Sequence, residues 1–144
     1  MRLACSKARS VTPVAPGCVV LGAETVVVVD DDILGKPADD LDAARMLRRL
    51  SGRRHEVITG VALMHGDREE SGLERTSVYF LPLGEQDIAW YISTGEAADK
   101  AGAYGAQGLA SRFIERIDGS YTNVVGLPVS LVCRLLKALA ARPG

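Results

Sequence analysis

A carboxylate, a hydroxyl and a lysine stand within one short stretch of the chain. Glu24 and Thr25 lie in Gly22-Ala23-Glu24-Thr25-Val26, and Lys36 follows on the turn Gly35-Lys36-Pro37. A carboxylate in an apolar, strand-forming segment is costly to bury unless it is paired, bound to a metal or exposed at a cleft. At a cleft it could orient an attacking water or accept its proton. Lys7, Lys36 and Lys100 could line an anion site beside it. Each group also has a plainer role open to it. Glu24 could be an acid at a strand end facing solvent, Lys7 a surface-helix lysine, Lys36 a solvated loop lysine and Gln107 a turn residue. The two histidines, His55 and His65, read as structural or solvent-facing. Neither GxxxxGK[ST] nor GxGxxG occurs, so phosphate binding cannot rest on a familiar glycine loop.

The elements that must position these groups follow from pattern. Met1 to Ser10 reads as helix, and Pro13, Pro16 and Gly17 break it before the first strong strand. Cys18 to Ala23 is apolar throughout, as in a strand buried on both faces, and Thr25 to Val29 continues it. Asp30-Asp31-Asp32 turns the chain back into Ile33-Leu34. Ala38-Asp39-Asp40 suits a helix N-terminus, and Leu41, Ala44, Leu47 and Leu50, with Met46, give that helix its apolar stripe, closed by Gly52. His55 to Met64 and a segment ending at Thr76 to Phe80 read as paired strands around Gly66-Asp67. A short helix carrying Trp90 and Tyr91 opens at Gly84. Gly95 to Gly108 is too polar for core and too specific in composition for a linker, so it reads as a functional loop holding Asp99, Lys100 and Gln107. Arg112 to Ile117 and Tyr121 to Val125 are expected to pair as a hairpin across Asp118-Gly119. A last helix presents Leu131, Leu135 and Leu139 and ends at Pro143-Gly144. The sum is an α/β fold, a mixed twisted sheet flanked by helices.

Bulk properties narrow the classes. The chain has 144 residues, enough for one domain with a real core. With 47% hydrophobic and 24% charged residues it has the balance of a soluble globular protein. A formal net charge of -1 and a pI of about 6.1 give no global pull toward nucleic acid or an anionic membrane. Arg48, Arg49, Arg53 and Arg54 form one basic cluster, read as solvating a helix end rather than binding a polyanion. Cys5, Cys18 and Cys133 are dispersed and show no metal-ligand spacing, which points to a reducing, cytoplasmic compartment. No apolar run is long enough to span a bilayer.

Taken together, several segments resemble the Maf family of nucleoside triphosphate pyrophosphatases. Leu3-Ala4-Cys5-Ser6-Lys7-Ala8 is similar to that family's LAxxKA helix, Gly22 to Val26 to its GADTVV strand, and Ile33 to Pro37 to its LGKP turn. Met46 to Gly60 matches MLxxLSGxxHxVxTG, and Asp99 to Gly108 and Gly119 to Pro128 match two C-terminal signatures. The resemblance implies one such domain over residues 1–144. It implies hydrolysis of a nucleoside triphosphate between the α and β phosphates, with a divalent cation, Mg or Mn. By position Glu24 would be the catalytic carboxylate, Lys7 and Lys36 would bind the phosphates, and Thr25 and Gln107 would set selectivity. Asp99 and Lys100 are further loop candidates. The DKAGxYGxQG form is similar to the branch acting on dTTP and UTP. A homodimer would fit the family, and a nucleotide-binding regulator of septum formation without turnover is the alternative it carries.

Three departures from the family pattern are visible. Its members open with a strand and a serine- and arginine-containing loop that helps hold the phosphates, and the expectation is that this chain begins after both. The family aspartate is Glu24 here, which moves the carboxylate by one methylene. Glu96-Ala97-Ala98 stands where the family has proline after the glutamate.

Overall fold

Val26 to Val29 is the most strand-prone run of the chain, and it forms the second half of β1 (Val20–Val29). The computed structural model describes residues 1–11 and 16–141. In it β1 turns back through Asp30 and Asp31 into β2 (Asp32–Leu34). Both aspartates have positive φ, 47° and 67°, the backbone that a twisted two-residue hairpin demands. Arg53 reaches Asp30 at 2.5 Å and Arg49 reaches Asp32 at 2.6 Å across this turn. β3 (Arg54–His65) pairs with β1, β4 (Arg68–Phe80) with β3, and β5 (Ile114–Asp118) with β4. The strand order is β2-β1-β3-β4-β5, and every pairing among the described residues is antiparallel. Helices flank this sheet, as the expected α/β architecture requires.

One face carries the main core. α2 (Asp40–Leu50) is capped by Asp39, whose carboxylate accepts from the Asp42 N–H, and it buries Leu47 and Leu50. α3 (Glu85–Ser93) adds Ile88 and Tyr91, and both helices pack with Val27, Val57, Val78 and Phe80 of the sheet. α5 (Val129–Ala141) sets Leu131, Leu135 and Leu139 on Val61 and Leu63. At about 1.5–3 kcal/mol for each large apolar side chain fully buried, these contacts outweigh the exposed ion pairs.

The opposite face is covered by α1 (Arg2–Val11), which packs Ala4, Cys5 and Ala8 on Val20, Ala62 and Met64. Small residues on both sides let the backbones meet. A Cβ added at Gly22 would lie 2.1 Å from the Ala4 carbonyl oxygen and 2.9 Å from the Ala8 nitrogen.

Several local expectations are corrected. Glu24 is not at a strand end; it lies in the middle of β1. The first apolar segment is not buried on both faces, since Val19 and Leu21 are exposed. Leu41 is 82% exposed and leaves the α2 stripe, where Ala43 packs instead. Arg112 and Phe113 belong to a 3-10 turn, Leu109–Phe113, and the strand starts at Ile114. Tyr121 to Val125 forms no hairpin but a short helix, α4 (Tyr121–Val125). Ser120 caps it by accepting from the Asn123 N–H, and the buried Asn123 amide donates to Val57 O, Glu74 O and Thr76 Oγ1 at 3.0–3.3 Å. Bonding to two strands at once outweighs the strand propensity of the segment. Pro13 and Pro143-Gly144 lie outside the described residues.

Gly22→Ala is expected to destabilise the chain by about 3 kcal/mol, because the added methyl overlaps helix backbone rather than a flexible side chain. Urea unfolding of the two chains checks this, and an unchanged midpoint would contradict the close approach.

Candidate active site

Glu24 and Thr25 are neighbours on a strand, so their side chains leave opposite faces. Both nevertheless border one cleft of about 240 Å³, with Ala23 and Val27. β2 pairs with β1 only from Val27 to Val29. From Val20 to Val26 the outer edge of β1 has no strand partner among the described residues, and a cleft at such an edge meets both faces. Lys7 arrives from α1, and its ammonium donates to Glu24 Oε2. Thr25 Oγ1 lies 2.9 Å from Thr59 Oγ1, its cross-strand partner, and 3.4 Å from the Gly126 carbonyl oxygen. Val124, Val125 and Gly126 form the wall on that side.

The far wall is the segment after α3, which folds as the 3-10 turns Glu96–Asp99 and Ala101–Ala103 followed by an extended Tyr104. Its polarity misleads, because Ala97, Ala103, Tyr104 and Ala106 are buried in the main core. Gly102 has φ of 69°, and a Cβ there would sit 2.7 Å from Val27 Cγ2, so this backbone lies directly on β1. Its N–H donates to Gly35 O at 3.0 Å, tying the segment to the turn that bears Lys36. Glu96 closes the loop by accepting from the Leu109 N–H at 3.1 Å, while the Tyr91 hydroxyl accepts from the Gly105 N–H at 3.1 Å. Lys36, Asp99, Lys100 and Gly105 thereby come to border the same cleft as Glu24.

A family model described as Maf-like protein matches residues 1–139. The chain belongs to the Maf family. The dTTP/UTP pyrophosphatase of Symbiobacterium thermophilum is 56% identical over 135 residues, 94% of this chain and 70% of that protein. Those of a Geobacillus species and of Pyrococcus horikoshii are 51% and 49% identical over 137 and 135 residues, covering 95% and 94% of this chain and 74% and 73% of theirs.

Six of the seven site candidates read from the sequence share the Maf cleft: Lys7, Glu24, Thr25, Lys36, Asp99 and Lys100. Gln107 stands apart. It is exposed and does not border the cleft, although its Oε1 lies 3.8 Å from where a Cβ on Gly105 would be. Thr59, Glu96, Tyr91 and the Gly126 carbonyl were missed by sequence reasoning. Glu96 had a signal, as an acid inside a loop of small residues; Thr59 had none beyond ordinary strand alternation. The arginine cluster is engaged elsewhere, with Arg48 bonded to Glu85 at 2.7 and 2.9 Å and Arg54 to Ser77 at 3.1 Å.

Three lysines and two carboxylates line the cleft, leaving it cationic. Lys100 donates to Asp99 at 3.0 Å, and that bond holds the Asp99 carboxyl below its ordinary range, with the Lys100 charge and, more weakly, Lys36 adding to it. No three His, Cys, Asp or Glu side chains among the described residues converge to hold a metal ion. No described helix is long and apolar enough to cross a membrane.

Behind the cleft, His55 is buried with Nε2 2.7 Å from the Tyr104 hydroxyl and its ring against Phe80. Burial pushes its pKa down from 6.5 to about 4. The folded pKa lies below the unfolded one, so this group's stabilisation is complete above pH 6.5 and is lost as pH falls toward 4. Between pH 7.5 and 5 the chain should lose about 2 kcal/mol more stability than His55→Phe, measured by urea unfolding. An equal loss in both chains would refute the assignment.

Proposed function

We propose that this chain hydrolyses a nucleoside triphosphate of the dTTP or UTP kind to the monophosphate and pyrophosphate, acting as one unit over residues 1–144. The observation that carries this reading is the gathering of Glu24, Thr25 and three lysines in one cleft built from Maf motifs. The names of the relatives supply the substrate class.

The chemistry follows from the residues. A triphosphate brings several negative charges, which Lys7, Lys36 and Lys100 offset from positions already on the cleft wall. Water attacks the α phosphorus, the bond from that phosphorus to the α–β bridging oxygen breaks, and pyrophosphate departs with the bonding electrons. Glu24 orients the water and accepts its proton. Lys7 touches that carboxylate and also faces the cleft, so it couples the position of the base to the presence of phosphate. A divalent cation suits a donor set of one or two carboxylates completed by substrate phosphates, with Glu24 and Asp99 as the available oxygens. Magnesium or manganese fits those hard donors, and when bound it would supply charge neutralisation on the phosphates. Gln107, outside the cleft wall, reaches the nucleotide in this reading only if the base extends past Gly105. Three free cysteines accord with a cytoplasmic site of action, and a homodimer is compatible with the same chemistry.

Pyrophosphate release from a panel of nucleoside triphosphates with magnesium or manganese tests the reading. Glu24→Gln should lower kcat at least about a hundredfold, as removal of a general base does, with affinity kept within a few fold. Turnover equal to that of the unmodified chain would remove Glu24 from the role. Tight binding with no turnover in the unmodified chain would favour a nucleotide-responsive regulator instead.

A further inference from the structure

Thr25 and Thr59 are directly opposed on β1 and β3, their hydroxyl oxygens 2.9 Å apart. Thr59 is fully buried, whereas Thr25 is half-buried and borders the cleft. A hydroxyl has one proton to donate, and a buried donor without an acceptor is expensive. Among the described residues, Thr25 is the only hydrogen-bond partner of the Thr59 hydroxyl. If Thr25 donated to Thr59, the Thr59 proton would be stranded in the interior. If Thr59 donates to Thr25, the Thr25 proton is free to turn toward the Gly126 carbonyl, and both donors are used. The second arrangement is therefore the stable one.

The Gly126 contact is long, at 3.4 Å, so it is a weak bond that a ligand can replace. The Gly126 carbonyl is also well placed to be held still. Its own N–H donates to Asn123 O at 3.0 Å, and Asn123 is fixed to two strands by its buried amide. A hydroxyl donor and a carbonyl acceptor thus stand side by side on the cleft wall, the hydroxyl against the buried Thr59 side chain and the carbonyl on a segment anchored by the buried Asn123.

We infer that the buried Thr59 hydroxyl sets Thr25 as a hydrogen-bond donor to the base, with the Gly126 carbonyl as the paired acceptor, so that the cleft reads the imide edge of uracil or thymine. This rests on the pyrophosphatase reading and gives it a physical basis for selectivity. The imide presents a carbonyl oxygen for Thr25 and an adjacent ring N–H for Gly126. Cytosine in the same pose turns an amino group toward the Thr25 donor and an unprotonated nitrogen toward the Gly126 oxygen, so both contacts are lost. Thr59 touches no substrate. It is a positioning residue that acts through Thr25.

The test is equilibrium binding of the non-hydrolysable α,β-imido analogues of UTP and CTP, with magnesium, to the full chain and to Thr59→Val and Thr59→Ser. The unmodified chain should prefer the uracil analogue by at least about tenfold. Thr59→Val, nearly isosteric but without a hydroxyl, should lower that preference about tenfold, and Thr59→Ser should keep it within about threefold. A Thr59→Val chain that melts cooperatively and retains the full preference overturns the inference, as does a Thr59→Ser chain that loses as much as Thr59→Val. Pyrophosphate release from UTP is measured alongside. Release without any uracil preference in binding overturns this inference alone; neither release nor binding overturns the pyrophosphatase reading as well.

Discussion

Everything that faces the cleft from α1 depends on how closely that helix can lie on β1. The contact is made of backbone and methyl groups, with Gly22 beneath Ala4 and Ala8, and there is no room for a Cβ. A helix held at that distance delivers Lys7 onto Glu24 on the same face of the sheet. A larger residue at position 22 would lift the helix, and a long flexible side chain such as lysine would then meet the carboxylate only occasionally. The position of the carboxylate thus depends on a packing constraint two residues away, on the same face of the strand.

The remaining walls rely on polar anchors rather than on regular secondary structure. Glu96 and Tyr91 hold the segment carrying Asp99, Lys100 and Gly105, and Asn123 holds the segment carrying Gly126. Each anchor bonds to backbone, so each fixes a loop's path instead of a single side chain. Tyr91 and Asn123 make their bonds in the low-dielectric interior, where such bonds are costly to break without replacement, so these segments are held firmly where they meet the cleft. The side chains that line the cleft can then be exposed to solvent and still be well placed. The Lys7–Glu24 and Lys100–Asp99 pairs contribute little to stability at that exposure.

Glu24 and Thr25 occupy different faces of β1. Glu24 shares its face with α1 and the lysine there, while Thr25 faces Thr59 and the Gly126 carbonyl. The outer edge of the strand, which from Val20 to Val26 has no strand partner among the described residues, lets one cleft meet both. Strand alternation places a charged pair and a hydroxyl pair within one residue of each other without mixing their chemistry.

Much of this was legible in the residues alone. Apolar β-branched runs specified β1 and β3, Asp39 and Gly52 bounded α2, and motif spacing identified six of the groups that line the cleft. These features depend on local propensity, capping and turn chemistry, which act over a few residues and so can be read along the chain. The tertiary structure decided the rest. Tyr121 to Val125 looks like a strand until Asn123 finds Val57 and Glu74, and Gly95 to Gly108 looks too polar for core until Tyr104 packs against Phe80 and His55. Thr59 is one strand threonine among others until Thr25 lies opposite it, 34 positions away in sequence. Sequence by itself determined which groups could do the chemistry. Only the fold decided which of them share a cleft and which way their protons point, because those outcomes depend on bonds between residues far apart in the chain.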